Sequence, residues 1–175
     1  MKHDFWDYVV GDIECNGLSP TRLFMIGVQD MISGEYRSFV GPDEVAEASY
    51  YMAMTSKIVC GHSFRSFDAK WIKNLTTLEI SGDKIIDTVE VSRRFMKKFE
   101  NHKLKTWGEF FDYPKLEAPL FEHFTPQMIP YCQRDVNLNR RVFDYLFEQA
   151  VEQNRLTDIH SNVDLLMEYA NLRYP

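Results

Sequence analysis

The chain has 175 residues, of which 45% are hydrophobic, 14% aromatic and 26% charged, with a net charge of −6. That balance excludes a disordered or low-complexity chain and suits a single domain over 1–175, long enough to bury a real core. No apolar run is long enough for a membrane span, and Met1-Lys2-His3-Asp4 lacks the apolar stretch of a secretory leader, so no membrane association is expected.

Tyr8 to Ile13 reads as a buried strand, and Arg22 to Gln29 as a second. Glu35 to Val40 alternates polar and apolar residues, which predicts a half-exposed third strand. Met31-Ile32-Ser33-Gly34 supplies the turn that would make the last two a hairpin. Gly41-Pro42-Asp43-Glu44 starts a helix expected to reach Thr55. Lys57 to Cys60 is a short buried strand, and a helix follows from near Phe67 to Leu75. Lys84 to Asp87 is the fifth strand, with a helix expected from Thr88 to Phe99 and another from Leu104 to Phe111. Thr125-Pro126 reads as a helix start, with Thr as N-cap, and that helix should run to Gln149. Thr157 to Leu172 reads as a last amphipathic helix. A meander of three strands followed by alternating helix and strand predicts an α/β fold: a mixed five-stranded sheet flanked by helices.

Four acidic residues stand inside or beside runs that should be core: Asp12 and Glu14 in the first strand, Asp68 at a helix start, and Asp135 in the long late helix. Carboxylates taken out of water cost several kcal/mol each unless compensated. Residues two apart on a strand share a face, so Asp12 and Glu14 project together. Residues four apart on a helix share a face, so Tyr131 and Asp135 do the same. Three elements can therefore bring their carboxylates to one point. Hard cations such as Mg²⁺ take oxygen ligands. Two of them, about 3.5–4 Å apart, can clamp the attacking and leaving oxygens of a phosphoryl displacement. A phenol at Tyr131 would orient the attacking water or take part in its deprotonation. Each piece has a plainer reading: Asp-x-Glu recurs by chance, Asp68 could be an N-cap, and Tyr131 with Asp135 could be a surface pair. The combination is what points to phosphodiester cleavage.

Charge is uneven. Between Val91 and Lys105 there are six basic residues (Arg93, Arg94, Lys97, Lys98, Lys103 and Lys105) against one Glu. Such a stretch can neutralise phosphates on an otherwise acidic chain, or it can be a solvated face. The three cysteines, Cys15, Cys60 and Cys132, lack paired spacing, which argues against a disulfide framework or a zinc site and fits a reducing cytoplasm. Neither Cys15 nor Cys132 has a base at a spacing that would make it a nucleophile. Trp6, Trp71 and Trp107 could stack bases, although core packing suits Trp71 and Trp107 better.

The three acidic stretches resemble the motifs of the DnaQ-like 3′–5′ exonucleases, the DEDD group within the ribonuclease H-like fold. Tyr131, four residues before Asp135, matches the tyrosine subclass, whereas the position used by the histidine subclass is Pro130. The resemblance is nearest to the proofreading domain of phage-type family A DNA polymerases and spans nearly the whole chain. Its carriers are Asp12-Ile13-Glu14-Cys15-Asn16-Gly17-Leu18, His62 to Asp68, Ile86-Asp87-Thr88 with Ser92-Arg93, and His102 to Gly108. It implies two Mg²⁺ or Mn²⁺ ions on Asp12, Glu14, Asp68 and Asp135, and a water positioned by Tyr131. It also implies Leu18 near the terminal base, with Ser63 toward substrate; His62, Arg93 and His102 fall in its motif-like stretches and are expected toward substrate too, as are Lys97 and Lys98 from the basic stretch. Ser63 stands where that group carries Asn. The expected substrate is the 3′ end of single-stranded DNA. The polymerase portion is not in the sequence, so the chain is expected to act alone or as a separate subunit of a polymerase. A ribonuclease D-type exoribonuclease and a non-catalytic polymerase- or host-factor-binding module are the rival readings.

Overall fold

The computed structural model describes residues 5–174. Met1–Asp4, including His3, lie outside the described residues, as does Pro175. Five strands, β1 (Tyr8–Cys15), β2 (Leu23–Asp30), β3 (Tyr36–Val40), β4 (Ile58–Gly61) and β5 (Ile85–Asp87), form one sheet in the order β3-β2-β1-β4-β5. β1 runs antiparallel to β2, and β2 antiparallel to β3. β4 joins β1 in parallel, and β5 joins β4 in parallel. The mixed five-stranded sheet is the one the alternation of elements predicts. Asp30 makes the hairpin turn: its carboxylate accepts from the Ile32 and Ser33 amides at 3.1 and 2.9 Å. Every residue of β3 is half-buried, in keeping with its alternating sequence at the sheet edge.

Among the described residues six helices cover the two faces: α1 (Pro42–Met54), α2 (Asp68–Thr76), α3 (Thr88–Phe95), α4 (Leu104–Phe110), α5 (Met128–Glu152) and α6 (Val163–Arg173). One core lies under α1 and α2 and takes Val9, Ile13 and Cys15 from β1, with Ile26 and Val28 from β2. The other lies under α5 and α6 and takes Tyr8 and Val10 from β1, with Phe143, Leu146 and Tyr169 from the helices. Odd positions of β1 thus face α1 and α2, and even positions face α5. That parity directs Asp12 and Glu14 toward α5.

Three expected helix boundaries are corrected. α3 stops at Phe95 rather than Phe99, because Phe99 turns back to pack on Trp107 and Phe110, with ring centroids 5.0 and 5.6 Å apart. Lys97 and Lys98 therefore lie on a connection, not on a helix. α5 starts at Met128: the Thr125 and Pro126 carbonyls accept from Met128 and Ile129 in a turn before it, and Thr125 is not the cap. Pro130 falls in the first turn, where its missing N–H leaves no bond unmade. The last segment is not one helix from Thr157. A 3₁₀ turn at Leu156–Asp158 ends, His160 is held by its Nε2 at 2.6 Å from the Asp83 carbonyl, and Asn162 caps α6 by accepting from the Leu165 amide at 3.1 Å.

Candidate metal centre and substrate cleft

The four carboxylates come from three elements. Asp12 and Glu14 leave the α5 face of β1. Asp68 is the first residue of α2, and Asp135 lies two turns into α5. Glu14, Asp68 and Asp135 are buried, and Asp12 is half-buried. Asp68 Oδ1 accepts from the Ile13 amide at 3.0 Å, so the α2 start is tied to β1 beside Asp12. Ligand atoms of Asp12, Glu14 and Cys132 all lie within 4.8 Å of one another.

The chain makes room for this approach. Gly27 faces Asp12 across the β1–β2 ladder. A Cβ at Gly27 would come within 2.6 Å of both Cys132 Sγ and the Tyr36 hydroxyl. Gly61 ends β4 where Phe64 folds back over it, and a Cβ there would overlap the Phe64 ring. The loop that follows hangs on Asp87, whose carboxylate accepts from the amides of Ser63 (3.1 Å), Arg65 (3.0 Å) and Val89 (3.0 Å). Ser63 sits at φ 60°, a left-handed conformation that Asn adopts more readily than Ser.

Crowding of like charges in a dry place governs the electrostatics. Burial and the Asp135 carboxylate push Asp12 up to about 7, against the pull of Lys115. Burial, then Asp12 and Asp135, push Glu14 up to about 10. Burial and Asp12 hold Asp68 well above the ordinary carboxylate range, although the Ile13 amide pulls it down. Burial also raises Asp135, with Lys115 opposing. Glu14 Oε1 and Asp135 Oδ1 are buried oxygens without a hydrogen-bond partner. An all-oxygen cluster with orphaned buried acceptors fits a hard divalent cation. Cys132 Sγ, 3.8 Å from Asp12 Oδ2, is the one soft donor nearby; burial holds its thiol well above the usual range, so it stays protonated and packs. Burial likewise raises Cys15, to about 11, and neither thiol is set up as a nucleophile.

Tyr131 is half-buried one turn before Asp135, with the Phe121 ring edge-on at 5.9 Å. Burial and the Asp135 carboxylate raise its phenol above the ordinary value. Lys115, which sequence reasoning missed, completes this corner. Its Nζ lies 2.5 Å from Asp135 Oδ2 and 5.2 Å from the centre of the Tyr131 ring. Nothing in the sequence marks it, since it stands in an irregular segment with no periodicity.

A cavity of about 630 Å³ is lined by His62, Ser63, Arg93, His102, Lys103 and Lys115, among others. His62 is fixed through Thr88: its Nδ1 is 2.8 Å from Thr88 Oγ1, which is 2.6 Å from Asn139 Oδ1. The single Thr88 proton goes to Asn139, so His62 donates from Nδ1 and keeps a free lone pair on Nε2. That Nε2 is buried without a partner, and burial pulls the imidazole down to about 4, which keeps it neutral. His102 Nδ1 meets Ser92 Oγ at 2.7 Å, and the same hydroxyl accepts from Trp107 Nε1 at 3.2 Å. Trp107 is fully buried. Leu18 is 86% exposed at the tip of the loop after β1, a loop pinned by Asn16 Oδ1, which accepts from the Thr21 and Arg22 amides at 2.9 Å. The basic stretch is split: Arg93 and Lys103 line the cavity, Arg94 donates to the Asp158 carbonyl at 2.6 Å, and Lys97 and Lys98 are exposed away from the cavity lining.

Among the described residues no helix is long and apolar enough to cross a membrane. Neither a protein-family profile nor a curated protein matches the chain. Solved structures share its fold. Brucella melitensis NrnC with bound Mg²⁺ superposes with a TM-score of 0.70 at 18% identity, over 95% of this chain and 85% of that one. The catalytic core of RRP6 from Trypanosoma brucei gives 0.66 at 16% identity, over 97% of this chain and 47% of that one. Exonuclease X in complex with 5′-overhanging duplex DNA gives 0.51 at 14% identity, over 82% of this chain and 92% of that one. The mixed sheet with helices on both faces is the ribonuclease H-like fold that these structures share.

Proposed function

We propose that the chain is a divalent-metal-dependent 3′–5′ exonuclease of the DnaQ-like group, tyrosine subclass. It hydrolyses the terminal phosphodiester of single-stranded DNA and releases nucleoside 5′-monophosphates. One observation carries the reading: four carboxylates from β1, α2 and α5 crowd together beside a half-buried phenol, with Glu14 Oε1 and Asp135 Oδ1 unpartnered. Asp12, Glu14, Asp68 and Asp135 would hold two ions, Mg²⁺ or Mn²⁺. Such ions, when bound, supply Lewis-acid activation and charge neutralisation for an in-line displacement. The bound Mg²⁺ of NrnC, on the same fold, supports the metal requirement.

The remaining roles belong to side chains. A phenol raised above its ordinary value keeps its proton near neutral pH, so Tyr131 orients the attacking water by hydrogen bonding rather than taking its proton. Leu18, exposed at the loop tip, offers an apolar surface to the terminal base. His62 lines the cavity wall, and Arg93, His102 and Lys103 offer donors to phosphates further along the strand. Lys97 and Lys98 sit further out and would act through charge alone.

A nucleic-acid substrate is supported by Exonuclease X bound to DNA and by NrnC bound to pGG. The second reading is an exoribonuclease of ribonuclease D type, and the pGG complex of NrnC keeps a short oligonucleotide in view as substrate for either. Either enzyme would work alone or beside a polymerase. The test is a time course on 5′-labelled single-stranded DNA and RNA of one sequence, with Mg²⁺ and with EDTA. Stepwise shortening of DNA that stops in EDTA is expected. Dominant shortening of RNA would reverse the substrate, and cleavage in EDTA would remove the metal.

A further inference from the structure

Between α4 and α5 the chain passes Asp135 and Tyr131 as an irregular strap. Residues 113–121 carry no regular structure, and among the described residues no backbone group from 114 to 124 bonds to another part of the backbone. Side chains tether it instead. Tyr113 is held between the guanidinium groups of Arg134 and Arg141, at 3.9 and 4.1 Å from its ring centre. Phe121 meets Tyr131, and Lys115 reaches in to Asp135 Oδ2.

Lys115 is the only cationic side chain that pairs with any of the four carboxylates among the described residues. An ammonium and a hard dication compete for the same thing, a carboxylate oxygen. Lys is suited to a contact that must be given up: its charge is a point on a flexible stem, without the fixed fork of Arg. The strap is suited to movement, because its backbone has few bonds to break. Lys115 also lines the cavity shared with His62, Arg93 and His102, so a displaced ammonium has somewhere to go that faces phosphate.

We propose that Lys115 is an internal counter-cation of the carboxylate cluster. It holds the Asp135 corner in the metal-free protein and leaves, with the strap, when a divalent ion binds there. The proposal rests on reading the quartet as a metal centre. Removing the charge removes the competitor, so Lys115→Met should bind metal more tightly while the metal-free protein loses stability.

The experiment is a Mn²⁺ titration of the whole chain without nucleic acid, following free Mn²⁺ by electron paramagnetic resonance. Tryptic cleavage after Lys115 is timed in parallel, with and without Mn²⁺. Lys115→Met is expected to bind Mn²⁺ about 10–100-fold more tightly than the wild-type chain, whereas Lys115→Arg, whose fork is harder to displace, should bind it no more tightly than wild type. Tryptic cleavage of the wild-type chain after Lys115 is expected to quicken when Mn²⁺ is added, because the freed side chain and strap become open to the protease. Equal or weaker binding by Lys115→Met, or tryptic cleavage after Lys115 indifferent to Mn²⁺, would overturn the counter-cation while leaving the metal centre intact. A wild-type chain that takes up no Mn²⁺ would overturn both. Where Lys115→Met does not fold, tryptic cleavage of the wild-type chain decides alone.

Discussion

The Ile13 amide donates to Asp68 Oδ1 at 3.0 Å, just beyond the point where β4 stops pairing with β1. A carboxylate thus takes over the position a strand carbonyl would have held. Asp68 then has two separable duties: one oxygen finishes the β1 ladder, and the charge serves the cluster. Asp68→Asn keeps an acceptor and drops the charge. Its metal-free melting temperature should equal or exceed that of the wild-type chain, while cleavage falls on the order of 10²–10³-fold. Asp68→Leu orphans the Ile13 amide and should cost about 1–3 kcal/mol of stability as well. Calorimetry with a cleavage assay checks both; if Asp68→Asn melted as low as Asp68→Leu, the shared-duty account would fail.

Metal-free stability should fall with rising pH. Burial and neighbouring carboxylates push Glu14 from 4.5 up to about 10, and burial with Asp135 pushes Asp12 from 3.8 up to about 7. An acid raised in the fold binds more protons folded than unfolded. Its contribution is complete below the ordinary carboxylate range and is lost as pH climbs through the folded value. Melting in EDTA should therefore decline steadily from about pH 5 to about pH 9. Mg²⁺ should flatten the decline, since the ion takes the place of the protons. Glu14→Gln should flatten it without metal. A pH-independent metal-free melting point would show that the carboxylates are not crowded.

Asp12→Ala makes the complementary test. Asp12 is pressed by Asp135 and presses in turn on Glu14 and Asp68, so its removal relieves repulsion. Cleavage should be abolished while the metal-free fold melts no earlier than the wild type. Activity surviving in this variant would strip Asp12 of its place in the centre.

Tyr131→Phe keeps the ring that Phe121 packs against and removes only the hydroxyl. Cleavage should slow on the order of 10²-fold, the scale of a mispositioned reactant, with Mn²⁺ affinity unchanged. The phenol is raised above its ordinary value, so the wild-type rate should not rise along a phenolate titration in the alkaline range. An unchanged rate in Tyr131→Phe would take the residue out of the mechanism.

The period of two in β1 and the spacing of four in α5 made Asp12 with Glu14, and Tyr131 with Asp135, legible as same-face pairs. Those are local consequences of backbone geometry, and the structure keeps them. What escaped depends on tertiary contact. Lys115 lies in a strap with no period, and only the folded α5 gives it a partner. Asp87 ends the fifth strand and caps α3, and its hold on the Ser63 and Arg65 amides joins segments distant in sequence. The early end of α3 follows from Phe99 joining the Trp107 and Phe110 rings, a pull that helix propensity does not register.

That early end also changes which basic residues should matter. A continuous helix would have spread Arg93, Lys97 and Lys98 over one surface. Instead Arg93 and Lys103 line the cavity with His62 and His102, and Lys97 and Lys98 stand on the connection between α3 and α4. Each phosphate neutralised on a single strand contributes about 0.7 to the slope of log affinity against log salt. Arg93→Ala with Lys103→Ala should therefore weaken binding of a single-stranded oligonucleotide and make that slope shallower by about 1.4. Lys97→Ala with Lys98→Ala removes the same formal charge from outside the cavity and should change the slope by less. Binding is measured in Ca²⁺ or with Asp12→Ala so that the strand is not consumed. An equal or larger change from the Lys97 and Lys98 pair would move the path of the strand out of the cavity and onto the connection.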